Sequence, residues 1–183
     1  MGRLNVFNFV TLNGYFKGPD GDISWHRHGE EENDYAVGSL EPGSTLLFGR
    51  VTYHMMAGYW AGPDAGKDIP DVAAGMNKAE KIVFSRTLKK AAWNNTRIVR
   101  DNMVEEIKKL KAVPGKDLTV LGSGSIVTQL ADKGLIDEYL VMVDPVVIGE
   151  GTTLFKGIGH NLNLKLTSTR AFKSGVVLLC YQP

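Results

Sequence analysis

Three short apolar runs in this chain each end in a cluster of glycine, hydroxyl or arginine residues. Thr45-Leu46-Leu47-Phe48 runs into Gly49-Arg50-Val51-Thr52, and Lys81-Ile82-Val83-Phe84 into Ser85-Arg86-Thr87. Leu118-Thr119-Val120-Leu121 runs into Gly122-Ser123-Gly124-Ser125. Runs of four residues, three of them apolar, are too short for a helix but suffice for a strand. Helices are expected directly after the first and third runs, at 50–57 and 125–133. A strand that feeds a helix and then another strand requires a parallel sheet covered by helices.

The rest of the chain extends this pattern. Residues 3–10 read as an interior strand, followed by a turn-rich loop with Asn13-Gly14 and Gly18-Pro19-Asp20-Gly21. A Glu-rich surface helix is expected at 29–40, ending near Pro42-Gly43, and a loop at 58–69. Thr96–Val99 reads as a strand. A helix follows at 103–111, capped by Asp101 or Asn102 and buried through Val104, Ile107 and Leu110. Gly134 suits a helix C-cap. Tyr139–Val143 is a further strand, and 145–159 an irregular region. Leu162, Leu164 and Leu166 alternate with polar residues as in a half-exposed strand, and Val176–Tyr181 is an apolar one. The expected fold is an α/β three-layer sandwich: a mostly parallel mixed sheet, helices on both faces, and antiparallel C-terminal strands. It forms one domain over 1–183.

Composition removes several function classes. Lys plus Arg is 21 and Asp plus Glu is 20, a net charge of +1, without the basic excess of a nucleic-acid-binding module. The single cysteine, Cys180, excludes an internal disulfide and a Cys-based zinc site; in an apolar strand it reads as core. No apolar stretch has the length of a membrane span, and the N-terminus lacks a signal-peptide core, so a cytoplasmic protein is expected.

In open α/β sheets ligands bind beyond the carboxyl ends of the strands. Free amides at helix N-termini suit phosphate there, and Arg50 and Arg86 can add charge-assisted bonds. Each cluster alone is an ordinary tight turn; three at successive strand ends suggest a cradle for a dinucleotide. The Rossmann fingerprint fails, because its third glycine falls at Val127, and no P-loop or nucleophile elbow is present. His26 and His28 have a spacing that can chelate a metal from a strand, but two solvated loop histidines and no metal site are the expectation. Glu30, Glu31, Glu32 and Asp34 read as a solvated helix face from which one carboxylate can turn into a cleft as an acid. Trp25 suits either a cleft wall or core packing.

The ordered set of motifs resembles the dihydrofolate reductase-like superfamily. It is most similar to the C-terminal reductase domain of the riboflavin-biosynthesis bifunctional deaminase-reductase and its free-standing bacterial relatives. The resemblance covers about residues 3–182. It rests on Thr11-Leu12-Asn13-Gly14, Trp25, Leu47–Tyr53, Phe84-Ser85-Arg86, Val120–Ser125 with Gly134–Glu138, Pro145–Gly151, and Leu154-Phe155. It implies an NADPH-dependent reductase of a small heterocyclic, imine or carbonyl substrate, similar to 5-amino-6-(5-phosphoribosylamino)uracil reductase or dihydrofolate reductase. Gly49, Arg50 and Thr52 would then hold the pyrophosphate side, Ser85 and Arg86 the 2′-phosphate, and Gly122, Ser123, Gly124, Ser125 and Ile126 the diphosphate. Val10, Thr11 and Asn13 would border the nicotinamide. Glu30 or Glu31 would assist protonation. Trp25, Tyr53, Tyr59 and Trp60 would form a stacking substrate pocket. A homodimer through the C-terminal strands is also implied. Asn13 and Ser123 depart from the family pattern, which has Asp and Gly there. The alternative is a non-catalytic nucleotide-binding protein on the same fold.

Overall fold

The computed structural model describes residues 1–27, 29–39 and 43–183. In chain order the elements are β1 (Leu4–Thr11), β2 (Tyr15–Lys17), α1 (Glu30–Ser39), β3 (Thr45–Gly49), α2 (Arg50–Trp60), α3 (Ala65–Asp68), α4 (Pro70–Lys78), β4 (Glu80–Phe84) and β5 (Thr96–Val99). They continue with α5 (Met103–Lys111), β6 (Leu118–Leu121), α6 (Gly124–Asp132), β7 (Glu138–Asp144), β8 (Thr152–Thr153), β9 (Lys165–Ala171) and β10 (Val177–Gln182). Eight strands form one sheet in the order β5-β4-β3-β6-β1-β7-β10-β9. The pairings from β5 to β7 are parallel. Those of β10 with β7 and with β9 are antiparallel. The α/β sandwich with an antiparallel C-terminal edge is therefore observed.

Burial explains why these runs are strands. Leu46, Leu47 and Phe48 in β3 are at most 1% exposed, as an interior parallel strand requires. In β1 the faces alternate: Leu4, Val6 and Val10 pack with Ile107, Val127 and Leu130 of α5 and α6. Phe7 and Phe9 point the other way, toward Tyr35 of α1. Phe48 packs with Tyr53, Val72 and Met76 of α2 and α4. Helices α2 and α6, which follow the neighbouring strands β3 and β6, thus lie on opposite faces. The crevice between these strand ends is a topological switch point, the place where such sheets bind ligands.

Several expectations change. The 58–69 loop is partly helical, because α2 continues to Trp60 and α3 follows. Helix α4 was not legible: Pro70 opens it and Val72, Ala73 and Met76 are buried, but Gly75 and two alanines blunt the pattern. Asn102 is the N-cap of α5 but makes no side-chain capping bond. Leu162 and Leu164 precede β9 and pack on the α5–α6 core, whereas Leu166 is 48% exposed. The predicted end of the first helix at Pro42 lies outside the described residues.

Candidate active site

A cavity of about 1510 Å³ lies along the carboxyl ends of the parallel strands. All three predicted clusters line it: Gly49, Arg50 and Thr52; Ser85 and Arg86; and Gly122 through Ile126. The N-termini of α2, α5 and α6 open onto it together. The first amides of a helix have no partner inside it, so three such ends make the region electropositive.

The turn before α6 depends on its residue types. Gly122 has φ +58, and a Cβ there would meet Cγ2 of Thr52 at 2.9 Å. A Cβ on Gly124 would meet Cζ of Phe16 at 3.0 Å and the Leu154 carbonyl oxygen at 3.1 Å. Ser123, at the position where the family pattern has glycine, adopts φ +59. Its hydroxyl accepts a bond from the Gly49 amide (2.9 Å) and donates to the Leu121 carbonyl (3.2 Å). Ser123 therefore ties the ends of β3 and β6 together at the switch point. Arg86 is largely exposed and pairs with Asp101 at 3.2 Å.

Polar groups meet again at the α1 side of the cavity. His26 lines it, stacked on Phe9 with ring centroids 3.5 Å apart. Its Nδ1 lies 2.8 Å from Oδ2 of Asp144, at the end of β7, and both side chains are buried. The other Asp144 oxygen accepts the Arg27 amide at 2.8 Å. A carboxylate only accepts, so Nδ1 of His26 carries the proton. Glu32 also lines the cavity, 5% exposed, and accepts a bond from the Ser174 hydroxyl. The expectation of a solvated His26 is corrected: the Asp144 carboxylate and the Phe9 ring hold it inside. His28 lies outside the described residues.

Other predicted residues are placed elsewhere. Glu30 is exposed. Glu31 bonds the Lys173 amide and ammonium, which holds its carboxyl below the usual range. Neither lines the cavity; the phase of α1 turns Glu32, Asn33 and Ala36 inward instead. Tyr53 is 2% exposed in the core under Phe48 and Trp93, and its hydroxyl accepts the Trp93 amide at 2.9 Å. Val10 is core. Thr11 and Asn13 form a staple: the Thr11 hydroxyl donates to Oδ1 of Asn13, whose Nδ2 donates to the Ile148 carbonyl, each at 2.8 Å. None of these four lines the cavity, whereas Phe7, Asn8 and Phe9 do. Trp25, Tyr59 and Trp60 line it. Sequence reasoning missed Asp144 and passed over His26 and Glu32, because nothing in their spacing signals the contact between 26 and 144.

Among the described residues no helix is long and apolar enough to cross a membrane, and no cluster has the make-up of a metal site. The family model of the RibD C-terminal domain matches residues 3–178. A protein of Bacillus subtilis, YyaP, itself described as uncharacterized, is 34% identical across 94% of this chain and 90% of its own. Among solved structures, a Shewanella sp. PV-4 protein assigned to riboflavin biosynthesis superposes with a TM-score of 0.77 at 19% identity, covering 98% of both chains. A deaminase/5-amino-6-(5-phosphoribosylamino)uracil reductase of Thermotoga maritima superposes with a TM-score of 0.71 at 16% identity. It covers all of this chain and 56% of its own. At these identities the superpositions establish the shared fold.

Proposed function

The chain belongs to the RibD C-terminal domain family, and from that premise we propose that it is an NADPH-dependent reductase of a small imine, carbonyl or heterocyclic substrate. The convergence of three helix N-termini and a glycine turn on one cavity carries the reading. The residues fit a dinucleotide, because the helix N-termini offer partnerless amides and Arg50 and Arg86 line the same cavity; the glycines at 122 and 124 let the turn before α6 pack against Thr52, Phe16 and Leu154. Gly49, Arg50, Thr52 and Gly122 through Ile126 hold the diphosphate, with Ser85 and Arg86 at the 2′-phosphate. The cofactor supplies a hydride.

The protein's own residues do the remainder. Phe9 and Trp25 exclude water from the reacting face, and Tyr59 and Trp60 position an apolar substrate. Asp144 orients the His26 ring and fixes its tautomer. With its Nδ1 proton held on Asp144, His26 takes a proton from solvent at Nε2 and passes it to the reduced substrate.

Titration of the protein with NADPH and NADH, followed by cofactor fluorescence, tests the reading. A charge-assisted bond to Arg86 is worth about 1.5–3 kcal/mol, or roughly 10- to 150-fold in affinity. The phosphate must displace Asp101 and Arg86 is exposed, so the lower end, about 10-fold for NADPH, is expected. Arg86→Ala should erase most of that preference and leave NADH binding nearly intact. No binding of either cofactor refutes the reading.

A further inference from the structure

The two ends of the cavity carry opposite charge. Around the β4, β5, α5 and α6 termini and the first residue of α2, its charged lining is Arg50, Arg86, Arg100 and Lys156 with Asp101 and Glu105, a set with an excess of positive charge, and Lys17 of β2 lines the cavity as well. The other end is built by α1, the body of α2 and α3–α4. There the charged lining residues, among those described, are Glu32 and Asp68, without a lysine or arginine. Glu32 is buried, and Asp68 accepts the Tyr59 hydroxyl at 3.2 Å. The remaining wall is apolar and aromatic, with Trp25, Met55, Met56, Trp60, Ile69 and Val72.

We propose that this end takes a planar aromatic or heteroaromatic substrate, neutral or cationic, that carries no phosphate. The proposal rests on the reading that the cationic end holds the cofactor, which leaves the α1–α2–α4 end to the substrate. A phosphate dianion placed here would face the buried Glu32 carboxylate and the exposed Asp68 carboxylate without a lysine or arginine among this end's described lining to pair with, and such burial is disfavoured. Apolar rings instead meet two indoles and thioether side chains, which adapt to varied flat shapes. The acidic groups additionally favour a substrate with N–H donors or a positive charge. A phosphorylated pyrimidine of the riboflavin pathway is therefore the wrong substrate for this chain.

The test compares one ring with and without the phosphate. 1-Naphthol and 1-naphthyl phosphate are titrated calorimetrically into the protein, with and without saturating NADPH. With NADPH present, 1-naphthol should bind at least about 10-fold more tightly than its phosphate. Met55→Arg, at a partly exposed wall position on α2, should strengthen naphthyl phosphate binding several-fold and close most of that gap. Naphthyl phosphate binding as tightly as naphthol to the NADPH-loaded protein overturns the inference, as does a loaded protein that binds neither. A protein that takes no NADPH but still prefers naphthol overturns the cofactor reading and leaves this inference standing.

Discussion

Replacing Asp144 by asparagine isolates the contact that turns His26 into the cavity. The carboxylate has no solvent exposure, and its two oxygens accept the Nδ1 proton of His26 and the Arg27 amide, each at 2.8 Å. An asparagine of the same shape has one acceptor. The Arg27 amide can only donate, so the new carbonyl stays with it and the amide nitrogen faces Nδ1 of His26. The ring must then accept at Nδ1 and move its proton to Nε2. Two charge-assisted bonds of about 1.5–3 kcal/mol become neutral bonds of about 0.5–1.5 kcal/mol. Relief of the buried charge offsets part of this loss, leaving a net destabilisation of roughly 1–3 kcal/mol. For a chain of this length, each kcal/mol lowers Tm by roughly 2–4 °C. Asp144→Asn should therefore melt several degrees below the parent protein, and nitrogen NMR of the imidazole should show the proton moved to Nε2. An unchanged Tm together with an Nδ1-protonated ring would refute the reasoning, because the carboxylate would then not be setting the tautomer.

Gly122→Ala places a Cβ 2.9 Å from Thr52 in a backbone at φ +58. It should cost roughly 1–2 kcal/mol for the left-handed backbone plus the clash, and weaken NADPH binding. Gly134→Ala, at φ +61 with nothing within 4 Å, should cost only the backbone part and leave binding unchanged; equal effects at both sites in urea melts and cofactor titration would refute the cradle. Lys81 is buried under Trp93 and donates to the carbonyls of Met76, Asn77 and Ala79. Burial pushes its ammonium down to about 8 from 10.5, so between those values the unfolded chain binds the proton the native chain has released, and raising the pH stabilises the fold. The three carbonyls oppose the shift. Relative to Lys81→Met, the parent should thus gain at most about 2 kcal/mol between pH 7 and pH 10, and a parent whose urea stability falls relative to the variant over that range would refute this. The edge strand β9 is exposed along all seven residues, so antiparallel pairing with a second copy about a two-fold axis is expected; light scattering at micromolar concentration should give twice the chain mass, and a monomer mass would refute it.

The alternation of buried strands with helices was legible in the sequence because it depends on local pattern: Leu46-Leu47-Phe48 can only be interior, and Gly122 marks a backbone that other residues resist. The clusters at 49–52, 85–86 and 122–126 were legible for the same reason, since a parallel sheet gathers its carboxyl ends on one edge. What the side chains at those ends face was not encoded locally. Glu30, Glu31 and Glu32 are indistinguishable in a charge run; only the docking of α1 on the sheet, with Tyr35 against Phe7, turns Glu32 inward. Tyr53 is one residue past Thr52, yet helical phase puts it in the core while Thr52 meets the cavity. His26 meets Asp144 across 118 residues, because β7 pairs with β1 and carries Asp144 beside Thr11 at the strand end. Local chemistry determined the strands, the turns and the edge where glycine, hydroxyl and arginine residues gather. Long-range strand pairing and helix docking alone decided which polar groups are buried together, because that choice depends on contacts between segments far apart in the chain.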